Sequence, residues 1–531
     1  MIHVNGSIQR YPLLRITLAL GIGIAIETQL LSQVTPWAWI GFMVVSMLLA
    51  RLLRHELAKS GCLLWATIAL GGFLARTSRA QNLPTLPQSE SHFEAVITDI
   101  PIQKGKTWRC DIRIMRLNNH LLRHPLLLKA SILNSPQHDM HLTIGQGLVA
   151  DAMLEPLRDT PQQVHFNYAL WLKRQGYVGE TFIPYWQLRT QKLPLSLPFW
   201  QRLQLKLHCI RAKMLCYLHG LAPNTMENAL ITALILGEKR ALPRALKDDF
   251  NMAGASHILA LSGLHLGIIF SLLTRIFRRS TIALTLAIIA LWAFTFLIGL
   301  PISAVRSAIM LSMYCITFML QREDKPFNAL ALSACIILMA NPVALFDAGF
   351  QLSFMAVLGI AIIYSPLSSY WKPQLRPLRW AWELTCVSLA AQLFTLPLVL
   401  YYFGRVSPYF LLSNFVVIPA TTGLLYLAIV LLVSTPIHGL QLTVYHLMLQ
   451  IAQGMTASMR GIVQLPGAQL PAIYTTLSQT FLLYGALCTR WRMVQVASQA
   501  RRCRPAGLTS HNRILKQPFI GSFLYLCTCN L

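Results

Sequence analysis

The sequence predicts a polytopic α-helical membrane protein that carries one small β domain near its start. Three observations lead there. Apolar runs of helical length recur from residue 13 to residue 489. Only 12% of the residues are charged, about half the share of a soluble domain. Between residues 90 and 190 the long runs give way to short stretches in which apolar and polar residues alternate, the period of strands.

Residues 1–80 are expected to form N-terminal transmembrane segments at roughly 13–31, Trp37–Ala50 and Cys62–Ala75. Glu27 interrupts the first. The apolar core from Ile16 to Ile26 runs into a second hydrophobic segment without a small-residue cleavage site, so no cleavable signal peptide is expected. Arg10 and Arg15 precede the first segment, Arg51, Arg54 and Lys59 lie after the second, and the 28–36 connection has neither Lys nor Arg. The positive-inside rule then places the N-terminus and the 51–60 loop in the cytoplasm, and the residues after the third segment outside.

Residues 81–190 are expected to be an extracytoplasmic domain. Phe93–Ile100, Trp108–Leu117, Leu126–Leu133, Leu148–Leu154 and Tyr177–Ile183 read as strands, with Cys110, Ile112 and Ile114 on one face against Arg109, Asp111 and Arg113 on the other. Five strands in this length suit a small OB-like β-barrel. Ala169–Gln175 reads as a short helix, and a single cysteine, Cys110, leaves no internal disulfide. Residues 191–224 form a linker whose segment 201–221, with Arg202, Lys206, Arg211 and Lys213 among leucines, reads as a basic amphipathic helix on the membrane surface or as an ordinary linker helix.

The remaining spans are expected within 225–489, at about 257–274, 281–298, 302–320, 327–340, 344–364, 380–402, 409–433, 441–458 and 473–489. With the first three this makes about twelve. Arg275, Arg278 and Arg279, then Arg322 and Lys325, then Lys372, Arg376 and Arg379 fall in every second loop, and the basic tail 490–531 falls on the same, cytoplasmic side. Pro419 predicts a broken or re-entrant segment at 409–433. The net charge of +26 is first explained by this loop bias, and the scattered cysteines show no paired metal spacing.

Several polar residues fall inside apolar runs. Gly254-Ala-Ser-His-Ile-Leu-Ala-Leu-Ser-Gly-Leu-His-Leu-Gly carries His257, Ser262 and His265, with Gly263 and Gly267 spaced for close helix packing. It is either a packing seam or the lining of a wet cavity. Gly299-Leu-Pro-Ile-Ser-Ala-Val-Arg-Ser-Ala-Ile-Met places Arg306 a turn inside a span, where it either snorkels to the interface or meets a phosphate. Asn341-Pro-Val-Ala-Leu-Phe-Asp-Ala-Gly-Phe-Gln puts Asp347 and Gln351 on one helix face. Asp347 is either a helix-start acid or a partner of Arg306. Pro397, Tyr402-Phe-Gly and Ser413-Asn414-Phe-Val-Val-Ile-Pro-Ala come next in order.

These four motifs across 250–420 resemble the ComEC family, the inner-membrane channels for DNA uptake in competent bacteria. His165-Phe-Asn-Tyr-Ala-Leu-Trp-Leu-Lys-Arg-Gln-Gly-Tyr resembles the segment near the end of that family's OB-like domain, although Pro161-Gln-Gln-Val replaces the usual Asn-Pro-Gly-Gly. The resemblance implies a multi-pass protein of the bacterial inner membrane that passes single-stranded DNA into the cytoplasm. It implies a path along His257, Ser262, Gly263, His265, Arg306, Asp347, Gln351 and Asn414. Basic and aromatic side chains of the barrel, Lys104, Lys106, Trp108, Arg109, Arg113 and Arg116, are expected to contact DNA there. Expected partners are single-stranded DNA, the lipid bilayer, a DNA receptor on the outer side, and a cytoplasmic ATPase or single-strand-binding proteins.

Full-length relatives in that family carry a C-terminal metallo-β-lactamase-like domain. Its two-metal chemistry needs a His-x-His-x-Asp-His cluster, and no His-x-His occurs in this sequence. A short form is expected, with no catalytic residue, no metal and no cofactor of its own, and with a separate nuclease as a possible partner. His120 and His124 have helical metal spacing but lie between expected strands without a third ligand. No GxxxxGK[ST] loop is present to cradle a nucleotide. Two other functions fit the residues less well. A secondary transporter of a smaller solute would want more intramembrane carboxylates than Asp347 and Glu383. An intramembrane hydrolase would have to use Ser262 and His265 as nucleophile and base.

Overall fold

The computed structural model describes residues 11–30, 34–81, 86–87, 89–134, 142–157, 167–191, 199–222, 225–276, 280–320, 326–434, 436–468 and 473–502. The quoted segments His165–Phe166 and Pro161–Val164, the loop cations Arg278, Arg279, Arg322 and Lys325, and the tail beyond Arg502 lie outside them. The chain divides into two compact units. The first is Met1–Pro223 with Trp292–Val305 and Ala331–Asp347; the second is Asn224–Leu291, Arg306–Leu330 and Ala348–Leu531.

The first unit opens with helices α1 (Pro12–Gln29), α2 (Pro36–Leu52) and α3 (Glu56–Gln81). Small residues let α1 and α3 meet backbone to backbone. A methyl group at Gly23 would lie 1.9 Å from the Ile68 carbonyl oxygen, and one at Gly71 would lie 2.3 Å from that of Leu20. Glu27, the residue that interrupts the first apolar run, is buried at this junction. Trp39 Nε1 donates to its Oε2 at 2.8 Å, and Arg76 Nε lies 4.0 Å from Oε1. The carboxylate is therefore tolerated in an apolar helix by partners from α2 and α3.

Eight strands come next: β1 (Ser91–Ile97), β2 (Ile102–Lys104), β3 (Thr107–Leu117), β4 (His120–Leu133), β5 (Gly147–Ala152), β6 (Leu154–Pro156), β7 (Tyr177–Ile183) and β8 (Leu188–Gln191). They form one curled sheet in the order β6-β7-β4-β3-β1-β5-β8, with β2 added on β3. Only Met153 separates β5 from β6, so one bent strand pairs with β1 at its start and with β7 at its end. The curl thus closes on itself, and β4 and β7 supply its single parallel pair. The inner face is as expected: Cys110, Ile112 and Ile114 point into a core with Phe93, Ile97, Leu128, Ile132 and Leu148. On the other face Asp111 is also buried, accepting from Lys129 Nζ at 2.7 Å and from Tyr177 OH at 2.8 Å. Helix α4 (Tyr168–Arg174) precedes β7, capped by Asn167, whose side chain accepts from Leu170 N at 2.8 Å. His120 and His124 lie within β4, where four residues span about 13 Å, too far to share a metal ion.

Helix α5 (Phe199–Leu221) buries Leu215 and Leu218 within the first unit together with His208 and Arg211, and exposes Arg202, Lys206 and Lys213. Ile210 on the same helix is exposed.

The helices of the C-terminal half are α6 (Met226–Leu236), α7 (Arg244–Met252), α8 (Ser256–Leu259), α9 (Gly263–Ile276), α10 (Thr281–Leu297), α11 (Ile302–Met319), α12 (Pro326–Ala340), α13 (Ala348–Tyr370), α14 (Arg376–Phe403), α15 (Phe410–Val433), α16 (His438–Val463) and α17 (Leu477–Arg502). Two expectations are corrected. The segment 257–274 is not one helix: Ala260 is extended, at φ −84° and ψ 131°, and divides α8 from α9. The segment 409–433 is unbroken although Pro419 lies inside it. Proline removes the one N–H that would pair with the Phe415 carbonyl and leaves the rest of the helix ladder in place.

The multi-span expectation is met in part. Among the described residues five helical segments are long and apolar enough to cross a bilayer: Glu56–Ser78, Ile302–Met319, Ala348–Tyr370, Arg376–Phe403 and Phe410–Val433. Pro36–Leu52, Gly263–Ile276, Thr281–Leu297 and Pro326–Ala340 are apolar but have at most 17 residues. At 1.5 Å per residue these reach about 25 Å or less, short of a hydrocarbon core of about 30 Å.

Candidate functional site

The polar residues of the apolar runs gather around the break between α8 and α9. Its geometry is set by Ser262-Gly-Leu-His265. The Ser262 carbonyl accepts from His265 N at 3.1 Å, and Ser262 N donates to His265 Nδ1 at 3.3 Å. This is the return half of a capping box, with histidine in the place where glutamate or glutamine usually takes the N-cap N–H; the Ser262 carbonyl, not its hydroxyl, takes the His265 N–H. Because Nδ1 accepts, this bonding pattern puts the imidazole proton on Nε2. Ser262 Oγ lies 3.4 Å from the same Nδ1, whose lone pair is already directed at the backbone. The pair is built as a helix start, and a nucleophile–base pair would need that lone pair.

Three neighbours hold the break in place. Ser413, from the Ser413-Asn414 motif, donates through Oγ to the Ala253 carbonyl at 2.6 Å across 160 residues of sequence. Gly254 turns the chain at φ 81°, and a methyl group there would lie 2.8 Å from Ser407 Cβ. A methyl group at Gly263 would lie 3.0 Å from Ser307 Oγ, so the first turn of α9 abuts the turn of α11 that carries Arg306. Arg306 itself is 7% exposed. Motifs that are far apart in sequence therefore meet at one place, and His257 and Ser256 present a solvent-exposed surface there.

The other expected path residues make contacts of their own. Asn414 is buried and donates through Nδ2 to Ser388 Oγ at 3.1 Å, joining α15 to α14. Gln351 Oε1 accepts from Tyr402 OH at 3.0 Å, joining α13 to α14. Asp347, half-buried, ends the 3₁₀ turn Pro342–Phe346 directly before α13.

The six barrel candidates divide. Lys104, Lys106 and Arg109 are exposed on the β2–β3 hairpin, which turns at Gly105 with φ 62°. Trp108 packs against the barrel core, with Nε1 3.4 Å from Asn134 Oδ1, so its ring is not on the open face. Arg116 is exposed and lies 3.6 Å from Glu94. Arg113 turns toward α5, where it lines a cavity of about 20 Å³ with Val96, Thr98, Met115, Gln204, Leu205 and His208. Burial pushes its guanidinium below the ordinary arginine value. Burial also pushes His208 below the ordinary histidine value; Arg211 and Arg113 act in the same direction, and Asp99 opposes them.

One aromatic escaped the sequence reading. Arg109, Ser131 and Phe182 are paired in register across β3, β4 and β7, opposite in parity to the buried row Cys110, Ala130 and Thr181. Phe182 is 53% exposed on that outer face. The strand Tyr177–Ile183 carried the signal, since Phe182 alternates with the inward Thr181 and Ile183.

Residues 234–495 match the family model described as "Competence protein". The chain is 30% identical over 221 residues to "ComE operon protein 3" of Bacillus subtilis, covering 41% of this chain and 27% of that protein. It is 25% identical over 244 residues to "Recombination protein 2" of Haemophilus influenzae, covering 43% of this chain and 30% of that protein. The matches thus span about a third or less of these relatives' own lengths. No solved structure matches the chain. The polar break, the Arg306 turn and the Ser413-Asn414 motif all fall inside the matched segment, so the C-terminal half of the chain carries a competence-protein domain.

Proposed function

We propose that this chain works in DNA uptake during competence and that its C-terminal half forms the passage for single-stranded DNA across the bacterial inner membrane. The observation that carries the reading is the α8–α9 break. There an apolar helical bundle interrupts its own backbone, leaves His257 uncovered by protein, and abuts the turn that carries a buried arginine. Irregular backbone at membrane depth is tolerated where it lines a cavity rather than lipid. A phosphodiester strand wants positive and hydrogen-bond-donating groups along such a cavity, and the break offers those rather than the carboxylates of a cation-coupled transporter.

The closed barrel at 91–191 is read as an OB-type domain on the outer side. Lys104, Lys106 and Arg109 provide charge there, and Phe182 provides a ring on which a base can stack. The test is deletion of the gene in a transformable strain, with labelled donor DNA then supplied. DNA should still reach the compartment outside the inner membrane and fail to reach the cytoplasm. Cytoplasmic arrival at the parental level would sink the reading.

A further inference from the structure

Helix α5 carries its open charge on one side. Arg202, Lys206, Cys209, Lys213 and Cys216 are all exposed and follow one another at steps of three or four residues, so they form a single stripe down the helix. At 1.5 Å per residue that stripe is about 21 Å long. None of the 23 residues of α5 is Asp or Glu. Arg202, Lys206 and Lys213 make no hydrogen bond or ion pair among the described residues. The stripe is therefore positive along its length and uncompensated.

The large apolar side chains of α5 turn the other way. Leu215 and Leu218 are buried, and Leu205 lines the cavity that α5 shares with Val96, Thr98, Arg113 and Met115. Ile210 is the one exposed aliphatic side chain among the described residues of the helix. A helix that lies in a lipid interface does the reverse and aims its leucines outward into the acyl chains. The position of α5 also connects two parts of the first unit. The shared cavity seats it on β1 and β3 of the barrel. A methyl group at Gly299 would lie 2.8 Å from His208 Cε1, so α5 also rests on the turn that leads into α11, the helix of Arg306.

We propose that the exposed stripe of α5 binds the backbone of single-stranded DNA and leads it from the barrel toward the passage. This rests on the DNA-passage reading. Cations without acidic neighbours attract a polyanion, and contacts to phosphate alone hold a strand without reading its bases. Binding of this kind releases counterions and weakens steeply with salt.

Cys209 and Cys216, free thiols on the stripe, report on its occupancy, and Cys488 is an exposed free thiol outside it. The purified full chain in detergent micelles is treated with a maleimide at low salt, and alkylation is read peptide by peptide by mass spectrometry. A single-stranded oligonucleotide should slow alkylation of Cys209 and Cys216 severalfold, leave Cys488 unaffected, and lose its effect at high salt. Protection of neither stripe thiol would overturn the proposal. In nanodiscs of anionic phospholipid without DNA both thiols should stay reactive; thiols already shielded there would place the stripe on lipid headgroups and overturn it as well. Combining Arg202→Gln, Lys206→Gln and Lys213→Gln should reduce the slope of log affinity against log salt by about two, and an unchanged slope would contradict the stripe's role. In cells the same combination should lower uptake by about tenfold at normal membrane abundance. Parental uptake, in a strain where gene deletion abolishes it, would overturn this inference and leave the passage reading standing.

Discussion

Replacing His265 should separate the structural task of the ring from its task toward a ligand. His265→Leu removes the acceptor of the Ser262 N–H, a loss of about 1–3 kcal/mol for a half-buried backbone donor. It also removes the buried, unpartnered Nε2–H, whose cost in the parent is of the same size, about 1–3 kcal/mol. The two changes oppose each other, so the net effect on stability should stay within about 1 kcal/mol. His265→Gln keeps an acceptor at the capping-box position and still offers donors. Ser262→Ala loses only an Oγ at 3.4 Å, longer than a good O–H hydrogen bond, and should cost less than about 1 kcal/mol. The assays are thermal unfolding of the purified chain in detergent, membrane abundance and DNA uptake. The expected pattern is near-parental stability for all three variants, severe loss of uptake for His265→Leu, partial loss for His265→Gln and a mild effect for Ser262→Ala. Abolished uptake in Ser262→Ala at full abundance would make Ser262 a nucleophile and refute the capping account. Parental uptake in His265→Leu would remove the ring from the path.

Other expectations come from particular contacts. Gly23→Ala drives a methyl group to 1.9 Å from the Ile68 carbonyl, so α1 must move off α3, at about 1–3 kcal/mol or more; a melting temperature equal to the parent's would contradict that close approach. The barrel should be extracytoplasmic, so a reporter active only in the cytoplasm, inserted at the exposed Gly145 turn, should stay silent; a bright signal would invert the topology. Burial holds the folded-state value of His208 below its ordinary value near 6.5, so the unfolded chain takes up that proton first. Stability should therefore fall as the pH drops below about 6.5, and His208→Gln should flatten that fall, as read from thermal unfolding across the range; an unchanged slope would show that His208 does not set it.

Much of this fold is legible in the sequence because it rests on period and polarity. The alternation of Cys110, Ile112 and Ile114 with charged neighbours fixes the inner face of the sheet, since one residue of slip would turn Arg109 and Arg113 into the apolar core. The same rule hides Trp108, which falls on the inner parity although its type suggests a stacking surface. The α8–α9 break is invisible to an apolar-run reading because Ile258 to Leu261 are as hydrophobic as a helix interior. What divides them is a helix start whose first N–H is taken by a histidine ring, a residue type that the usual signature does not include. Pro419 erred in the opposite direction: a breaker on paper is absorbed in a packed bundle.

The central claim is that the C-terminal half carries DNA past Arg306, and substitution at that residue tests it most directly. A charge about 4 Å from a phosphate, at an effective dielectric near 20, is worth about 4 kcal/mol, and losing half of that slows passage about thirtyfold. DNA uptake and membrane abundance should be measured side by side for Arg306→Gln and Arg306→Lys. The expected result is a heavy loss of uptake in Arg306→Gln at near-normal abundance, with Arg306→Lys intermediate because it keeps the charge and loses the fork. Parental uptake in Arg306→Gln, or a loss that only tracks falling abundance, would contradict it.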